Sequence, residues 1–341
     1  MSDQPESAEP LLRCGFAALV GRPNVGKSTL LNALVGTKVS IVTPRPQTTR
    51  HRILGLVQRP DAQIAFVDTP GLHRQARRAL NKAMNRTATS ALADADVAVL
   101  VLEALTWTGE DELALERIAQ AHRPAIAVVN KVDQVRPRER LLPYLAELSA
   151  RHPFIALVPV SALKGQGLED LVRTIAAELP QSPPLFARDT LTDRGTAFRI
   201  AETVREKLTL ELNQEVPYGI AVEVERMRHE DGQLAVDVVI WVDREGQKPI
   251  VIGGGGERLK RVGSSARRTL NALLGERLHL TLWVKVRENW ADNARALKDL
   301  GLDSWAPRPA ASSSRRPTCC IIGRTARADG FSKCWCAPRG G

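Results

Sequence analysis

The chain is short of cysteine and of long apolar runs. It has 341 residues with five cysteines, and only Cys14 lies before residue 304. This usage argues against a disulfide-stabilised secreted protein and suits a reducing compartment. The apolar runs at residues 97–102 and 125–129 have the length of strands, far below the roughly 20 residues that a bilayer span needs. The first residues are acidic and contain no apolar stretch, so they do not predict a signal peptide. We therefore expect a cytoplasmic protein.

The net charge of +10 is concentrated at one end of the chain. Residues 304–341 hold seven of the 48 Lys and Arg residues but one of the 38 Asp and Glu residues, so residues 1–303 carry 41 basic and 37 acidic side chains. A nucleic-acid partner must therefore be inferred from local basic patches. The same end is rich in Ser, Pro, Ala and Arg, which predicts a disordered tail. The spacing of its four cysteines does not fit a zinc site.

Between residues 16 and 178, short apolar runs alternate with longer amphipathic segments. The runs predict strands at 16–20, 53–58, 63–68, 97–103, 125–130 and 154–159. The segments between them predict helices at 27–34, 78–93, 110–121, 138–150 and 167–178. Strands that alternate with helices are typical of a mainly parallel sheet covered on both faces. The fold class predicted for this half is therefore α/β.

A Pro-rich stretch at residues 180–184 marks a change of pattern. After it we predict a helix at 197–212, strands at 220–228 and 233–243, a glycine run, a helix at 257–274, a strand at 278–287 and a short helix near 290–300. This order predicts an α+β second domain. We thus expect a disordered N-terminus at 1–11, a first domain at 12–180, a linker at 181–195, a second domain at 196–303 and a disordered tail at 304–341.

A glycine-rich segment with the pattern G-x-x-x-x-G-K-S lies between the first predicted strand and the first helix. Its glycines let backbone N–H groups turn toward phosphates at the positive end of the helix dipole. Lys27 is suited to reach the β- and γ-phosphates, and the Ser28 hydroxyl is suited to bind Mg²⁺. The residues predicted to hold the nucleotide phosphates are Gly21, Arg22, Pro23, Asn24, Val25, Gly26, Lys27, Ser28 and Thr29.

Two further segments offer groups for a metal ion and a γ-phosphate. Asp68 ends a predicted strand, where a carboxylate can hold Mg²⁺ through water, and Gly71 has no side chain to keep its N–H from the γ-phosphate. The GTP-binding residues predicted here are Asp68, Thr69, Pro70, Gly71 and Leu72. Upstream lies a polar loop that predicts a switch closing on Mg²⁺, made of Gln47, Thr48, Thr49, Arg50 and His51. Of its two threonines, Thr49 is the preferred metal ligand.

The predicted base is guanine. The strand at 125–130 leads into a loop of four residues, Asn130, Lys131, Val132 and Asp133. The Asp133 carboxylate can accept from the guanine N1–H and 2-amino groups together, whereas adenine would leave this charge unpaired. Lys131 can lie over the base, and Asn130 can tie the loop to the glycine-rich segment. The next strand precedes Ser161, Ala162 and Leu163, which are predicted to present a backbone N–H to the guanine carbonyl. These motifs all follow strands, at the sheet edge where α/β proteins bind ligands.

The motifs together predict Mg²⁺-assisted attack of water on the γ-phosphate of GTP, giving GDP and phosphate. The predicted metal ligands are Ser28, Thr49 and Asp68, and the predicted catalytic residues are Lys27, Thr49, Asp68 and Gly71. Leu72 stands where other GTPases carry a glutamine, so no side chain is available there to orient the water. We therefore expect slow intrinsic hydrolysis.

The nucleotide motifs resemble those of translation-factor-like GTPases, and the second half resembles a type II KH domain with a Gly-x-x-Gly loop at residues 253–256. Short runs at 205–208, 217–219 and 289–291 are similar to runs of the Era family, and this resemblance covers about residues 12–303. It implies the 3′ region of 16S ribosomal RNA and the small ribosomal subunit as partners, and a role in 30S subunit assembly and maturation. It also implies peripheral contact with the inner face of the cell membrane. We expect a monomer.

The Gly-x-x-Gly loop can lie against a nucleic-acid backbone through its N–H groups, and basic side chains crowd nearby with few acids. The predicted RNA-binding residues are Ile252, Gly253, Gly254, Gly255, Gly256, Arg258, Lys260, Arg261 and Arg267. Related loops often carry Lys or Asn between the outer glycines, whereas Gly254 and Gly255 stand here, so a phosphate contact is lost and ordering the loop costs more entropy. Trp241, Trp283 and Trp290 follow strand or helix patterns and are predicted to be core residues.

Two alternatives remain open from the sequence. One is a plain RNA-binding module whose nucleotide site is only structural, although no phosphate, metal or guanine ligand is missing from the motifs. The other is a GTPase that serves a different large RNA or the translation machinery.

Overall fold

The structure is a computed structural model. It describes residues 12–46, 48–71, 78–212, 219–230 and 232–302. The predicted N-terminal segment 1–11 and tail 304–341 lie outside the described residues, as do Gln47, Leu72 and the run at 217–218. Within the described ranges, no helix is long and apolar enough to cross a bilayer.

The first half is an α/β layer structure. Its strands are β1 (Leu12–Val20), β2 (Ile53–Gln58), β3 (Ala62–Asp68), β4 (Val97–Glu103), β5 (Ala125–Asn130), β6 (Ala156–Pro159) and β7 (Gln181–Ser182). Its helices are α1 (Lys27–Val35), α2 (Ala79–Asp94), α3 (Gly109–Ala121), α4 (Leu141–Arg151) and α5 (Leu168–Ala177). The six strands and five helices predicted from the sequence are all present, with ends shifted by one to four residues where they differ.

The strands form one sheet in the order β2-β3-β1-β4-β5-β6. β1, β3, β4, β5 and β6 run parallel, and only β2 and the short β7 pair antiparallel to their neighbours. The register aligns Leu19 with Asp68 and Val129 with Pro159. Because the parallel strands end together, the predicted nucleotide motifs that follow them meet at a single edge of the sheet.

Helices cover both faces of this sheet. The apolar sides of α1 and α5 pack on one face, where Leu30, Leu31 and Ile175 are fully buried. The apolar sides of α2, α3 and α4 pack on the other, with Leu92 and Leu148 in that second core. The strands are therefore apolar along most of their length, as is typical of a sheet buried on both faces.

The segment at 181–195, predicted as a linker, is bound along the edge of the first domain. β7 pairs with the start of β1. Further along, Gln63 Oε1 accepts hydrogen bonds from the backbone N–H groups of Leu185 and Phe186, at 2.7 and 2.9 Å. Leu191 O then accepts from Leu56 N at 2.9 Å. The sequence offered no periodicity for this segment because its contacts are single pairings with distant residues.

The second half has an α+β fold. It consists of α6 (Thr196–Glu211), β8 (Ile220–Glu230), β9 (Gln233–Val242), α7 (Lys248–Ile252), α8 (Glu257–Leu274), β10 (Leu278–Val286) and α9 (Ala294–Asp299). The sheet order is β10-β9-β8, with β8 antiparallel and β10 parallel to β9. α6 and α8 pack on one face of the sheet, around a core that contains Val204, Val238 and Leu270. The predicted fold class, an α/β domain followed by a type II KH arrangement, is confirmed.

Tryptophan placement differs in part from the prediction. Trp290 is fully buried and donates through Nε1 to Gly219 O at 3.2 Å. It belongs to an apolar cluster that joins Leu80 and Met84 of α2 to the C-terminal residues up to Leu302. Trp283, in contrast, is 54% exposed, so its prediction as a core residue is wrong. It points to the face of the second sheet opposite α6 and α8, because β10 places alternate residues on opposite faces.

Candidate functional site

The glycine-rich segment turns directly from β1 into α1. Gly21 and Gly26 have positive φ angles of 153° and 100°. A Cβ on Gly21 would lie 2.4 Å from Val101 O, and one on Gly26 would lie 2.3 Å from Asn130 Nδ2. Both positions therefore exclude a side chain on steric grounds as well as conformational ones. The loop closes over the start of α1, whose first N–H groups form an anion-binding end.

Lys27 is the first residue of α1 and is almost fully buried. Its ammonium donates to Gly21 O and to Arg22 O, both at 2.8 Å, so the side chain lies back over the loop. Burial lowers the pKa of Lys27 to about 8, an effect that the nearby Asp68 carboxylate opposes. This buried ammonium is placed where a phosphate bound by the loop would offset the lost hydration.

Three predicted metal ligands meet at one point. Ser28 Oγ lies 2.8 Å from Thr49 Oγ1 and donates to Asp68 Oδ2 at 2.7 Å, while Thr49 Oγ1 lies 3.3 Å from the same carboxylate oxygen. Ser40 Oγ also donates to Asp68 Oδ2, at 3.0 Å. Thr48, by contrast, bonds to Thr43 Oγ1 and Arg45 O and stays out of the cluster.

The cluster fits a small divalent cation. Asp68 Oδ1 is buried and has no hydrogen-bond partner among the described residues. Burial raises the pKa of Asp68, and hydrogen bonds from Ser28 act against that rise. A hard cation prefers hydroxyl and carboxylate oxygens of this kind. Ser40 was missed because a single serine in a loop carries no sequence signal.

The segment after β3 lies against the glycine-rich loop. Thr69 is buried and donates through Oγ1 to Leu19 O at 2.8 Å, and Pro70 is buried beside it. A Cβ on Gly71 would lie 2.9 Å from Pro23 Cγ, so the backbone can come this close only with glycine. Leu72 lies outside the described residues, and its predicted role stays a prediction.

Asn130 links three segments of the site. Its Nδ2 donates to Val25 O at 2.8 Å, and its Oδ1 accepts from Ala162 N at 3.0 Å. The predicted tie between the base loop and the glycine-rich loop is thus present. Ser161 Oγ donates to Asp133 Oδ1 at 2.6 Å. Leu163 is exposed at the rim, and Val132 N bonds back to Val160 O.

Arg22 belongs to a charged network that the motifs did not reveal. Its guanidinium bonds to Glu103 at 2.7 Å and to the fully buried Asp111 at 3.1 Å. Glu103 also pairs with Lys131 at 3.1 Å. Burial would raise the pKa of Glu103, but hydrogen bonds from Arg22 and Lys131 outweigh it and lower the pKa. The network fixes the glycine-rich loop to the base loop through the end of β4.

A cavity of about 460 Å³ opens over these groups. It is lined by predicted residues of the glycine-rich loop, by Thr48, Thr49 and Gly71, and by Lys131. Its remaining wall is the segment before the predicted switch, which the sequence did not assign: Ile41, Val42, Thr43, Pro44 and Arg45.

The second half carries a separate groove beside its glycine loop. The groove has a volume of about 410 Å³ and lies between α8 and β10. Of the predicted RNA-binding residues, Gly256, Lys260 and Arg267 line it. Residues that were not predicted, among them Ser264, His279 and Thr281, complete the lining. Gly254 and Gly255 are exposed beside the groove, and Ile252 and Gly253 are half-buried.

Two of the predicted arginines point elsewhere. Arg258 is half-buried and bonds through Nη1 to Ile250 O, within its own domain. Arg261 pairs with Glu211 at 3.3 Å on the exposed side of α6 and α8. Sequence spacing along α8 does not separate these positions from Lys260 and Arg267, because the distinction depends on which face of the helix meets the sheet.

Two family models match the chain. A model described as a 50S ribosome-binding GTPase matches residues 16–131, and a KH domain model matches residues 215–291. Both matches fall on the two halves described above.

Similar proteins share both halves in the same order. GTPase Era of Stenotrophomonas maltophilia is 49% identical over 290 residues, which covers 85% of this chain and 97% of that protein. GTPase Era of Xanthomonas oryzae pv. oryzae is 50% identical over 291 residues, with coverage of 85% and 97%.

Solved structures of Era proteins are also similar to this chain. A variant of Aquifex aeolicus Era bound to GDP and AlF4⁻ has 41% identity and a TM-score of 0.83, covering 85% of this chain and 99% of the other. An Era complex with MgGDPNP and nucleotides 1506–1542 of 16S ribosomal RNA gives the same values. With relatives near 50% identity over almost their whole length, the chain belongs to the GTPase Era family, and its predicted GTPase activity is confirmed.

Proposed function

We propose that this GTPase is a nucleotide-controlled RNA-binding protein that acts in assembly and maturation of the small (30S) ribosomal subunit. The observation that carries this proposal is the meeting of a metal cluster (Ser28, Thr49 and Asp68) with a base loop (Asn130 and Asp133) at one sheet edge, in a chain that also carries a KH groove. A nucleotide site or a KH groove alone occurs in proteins of other functions. The two together fit a protein whose RNA binding is controlled by its nucleotide.

The nucleotide site is proposed to bind GTP or GDP with Mg²⁺. The glycine-rich loop and the start of α1 present N–H groups to the phosphates, and the Lys27 ammonium balances the negative charge that builds on them. Ser28 and Thr49, with Asp68 behind them, would hold Mg²⁺, which would supply positive charge at the phosphate oxygens. The two Era structures carry guanine nucleotides, one of them with Mg, which supports this assignment.

Asp133 is proposed to read the base. Ser161 donates to Asp133 Oδ1, which leaves Oδ2 and the remaining lone pairs of the carboxylate for the guanine donors. Asn130 ties this loop to the glycine-rich loop, so the base and the phosphates would be bound at a fixed separation. Hydrolysis is expected to be slow, since Leu72 offers no hydrogen bond to the attacking water.

RNA is proposed to bind the groove beside Gly253–Gly256 as a single strand. Gly256 of the loop lines the groove together with the cationic side chains of Lys260 and Arg267. A nucleic-acid backbone bound there would lie beside the loop and two positive charges. The Era complex with nucleotides of 16S ribosomal RNA supports the 3′ region of that RNA as the ligand. Peripheral contact with the inner membrane face is proposed on the family resemblance alone, and a cytoplasmic location on the cysteine usage and the short apolar runs of the sequence. A monomer is also proposed.

The test compares RNA affinity in three nucleotide states of the full chain. A labelled RNA with the sequence of the 16S 3′ region is titrated with protein in the presence of a non-hydrolysable GTP analogue, GDP or no nucleotide. The proposal expects the highest affinity with the GTP analogue. Equal affinities in all three states would leave a plain RNA-binding module with a structural nucleotide. Crosslinking to purified small subunits that misses the 3′ end would instead favour a different large RNA.

A further inference from the structure

The predicted switch and the residues that lead into it, from residue 38 onward, are held by a helix of the second half. Glu206 of α6 is 3% exposed. Its Oε1 accepts a hydrogen bond from Val42 N at 3.1 Å, and its Oε2 accepts one from Lys38 Nζ at 2.5 Å. A buried carboxylate that keeps its charge needs such partners. The segment leading into the switch is therefore attached to α6 at its beginning.

The neighbouring residue on α6 holds the other end of the segment. Arg205 is 4% exposed, and its guanidinium forms two hydrogen bonds with Glu202, at 2.7 and 2.6 Å. The bidentate pair fixes the plane of the guanidinium. From this position, Arg205 Nη2 donates to Thr48 O. The carbonyl that accepts this bond belongs to the residue immediately before the proposed metal ligand Thr49.

The residue after Thr49 is anchored to the same half. Arg50 is 3% exposed and donates through Nη1 to Ile220 O at the start of β8. Its guanidinium also lies 5.9 Å from the ring centre of Trp290. Thr49 is thus flanked on both sides by residues bonded to the KH half. The Thr49 hydroxyl contacts Ser28 and Asp68 of the first domain, whereas the backbone on either side of Thr49 is held by the second half.

We propose that Arg205 and Glu206 are positioning residues for Thr49, and that through it they set the preference of the nucleotide site for Mg²⁺·GTP over GDP. This inference rests on the proposed function of the metal cluster. Switch segments contact the γ-phosphate and its metal and are released when that phosphate is lost. Loosening the segment should therefore weaken binding of a GTP analogue while GDP binding stays the same. By reciprocity, nucleotide identity then biases the arrangement of α6, whose apolar side from Ile200 to Leu212 belongs to the KH core.

The experiment measures the affinities of the full chain for fluorescent GDP and for a fluorescent non-hydrolysable GTP analogue, across a titration of Mg²⁺. The variants are Arg205→Gln and Glu206→Gln. The control is Arg228→Gln, which removes an exposed cation of β8 that pairs with Glu230. We expect the ratio of analogue to GDP affinity to fall about tenfold in Arg205→Gln, the effect of roughly one charge-assisted hydrogen bond. A higher Mg²⁺ requirement for the analogue should accompany this fall, and the control should match wild type.

The affinity for GDP shows whether a variant has lost only the positioning of Thr49 or has also lost its fold. If Arg205→Gln does not retain wild-type GDP affinity, Glu206→Gln decides. Its amide oxygen still accepts from Val42 N, while the oxygen that pairs with Lys38 and Lys207 and the negative charge are lost. An unchanged ratio in the variant that retains GDP binding, or equal losses for both nucleotides in both variants, would overturn the inference. Wild type that binds no guanine nucleotide would instead refute the proposed function of the site.

Discussion

The Ser161 hydroxyl donates a 2.6 Å hydrogen bond to Asp133 Oδ1. The two residues lie 28 positions apart, on loops that follow adjacent parallel strands. The hydroxyl orients the carboxylate without using its second oxygen. A carboxylate fixed in this way can discriminate between bases by the number of donors they present.

We expect Asp133→Ala to remove the preference for GTP over ITP, which lacks the 2-amino group. Loss of a hydrogen bond to a charged group costs about 1.5–3 kcal/mol, or roughly 10- to 100-fold in affinity. Fluorescent GTP and ITP analogues measure the ratio directly. Ser161→Ala should retain the carboxylate and give a smaller loss. A GTP-to-ITP ratio in Asp133→Ala equal to that of wild type would show that another group reads the base.

The glycine-rich loop provides a second prediction. Gly26→Ala should abolish nucleotide binding, because the new Cβ would meet Asn130 Nδ2 at 2.3 Å and force the two loops apart. Gly36→Ala is the matched control, since Gly36 also has a positive φ of 75° but has no atom within 4 Å of the added Cβ. The control should lose about 1 kcal/mol of stability from backbone strain and still bind nucleotide. Binding curves with fluorescent GDP test both variants, and loss of binding in both would assign the effect to strain alone.

The glycine loop of the KH half has room for a cation. Gly254→Lys should raise RNA affinity and steepen its dependence on salt by about one counterion, because nothing lies within 4 Å of the added Cβ and the backbone there is not left-handed. Gly255→Lys adds the same charge at a φ of 58° and should gain less or nothing. RNA titrations at several salt concentrations separate the two. Equal affinity in Gly254→Lys and wild type would show that RNA phosphates do not pass this loop.

Two tryptophans test where the halves are joined. Trp290→Ala should lower the free energy of unfolding by about 3–5 kcal/mol, since Trp290 is fully buried among α2 and the C-terminal residues. Trp283→Ala should change it by less than about 0.5 kcal/mol, as expected of an exposed position. Urea denaturation measures both. Similar losses in the two variants would contradict the burial described here.

His51 should make the free energy of unfolding depend on pH. Burial lowers the pKa of His51 to about 4, with Arg205 and Arg194 adding to the effect and Glu202 opposing it. In the unfolded chain the pKa is about 6.5, so between these values the unfolded chain binds the proton and the folded one does not. The contribution of His51 is complete above about pH 6.5 and is lost as the pH falls toward 4.

The measurement is urea denaturation at pH 7, 6 and 5 for wild type and His51→Gln. Wild type should lose more stability on acidification than the variant, by at most about 1.4 kcal/mol per pH unit. Parallel pH profiles would show that His51 takes up its proton equally in both states.

Most of the candidate site was predictable because its groups lie at the ends of strands. Asp68 and Asn130 each close an apolar run, and the parallel register brings such ends together without further information. Ser40 and Glu206 could not be found in this way. Ser40 bonds to Asp68 across 28 positions, and Glu206 bonds to Val42 across 164. Single long-range hydrogen bonds leave no periodic pattern in a sequence.

The sequence by itself determined the nucleotide class, the two-domain fold and the glycine loops, because these depend on local residue types and on alternation along the chain. Only the tertiary structure decided that Ser40 bonds to Asp68, and that Arg258 turns to Ile250 O while Arg267 lines the groove. The physical reason is the same in each case. A side chain points to whichever distant partner satisfies its hydrogen bonds once the helices and sheets have packed, and that partner is not encoded in the neighbouring residues.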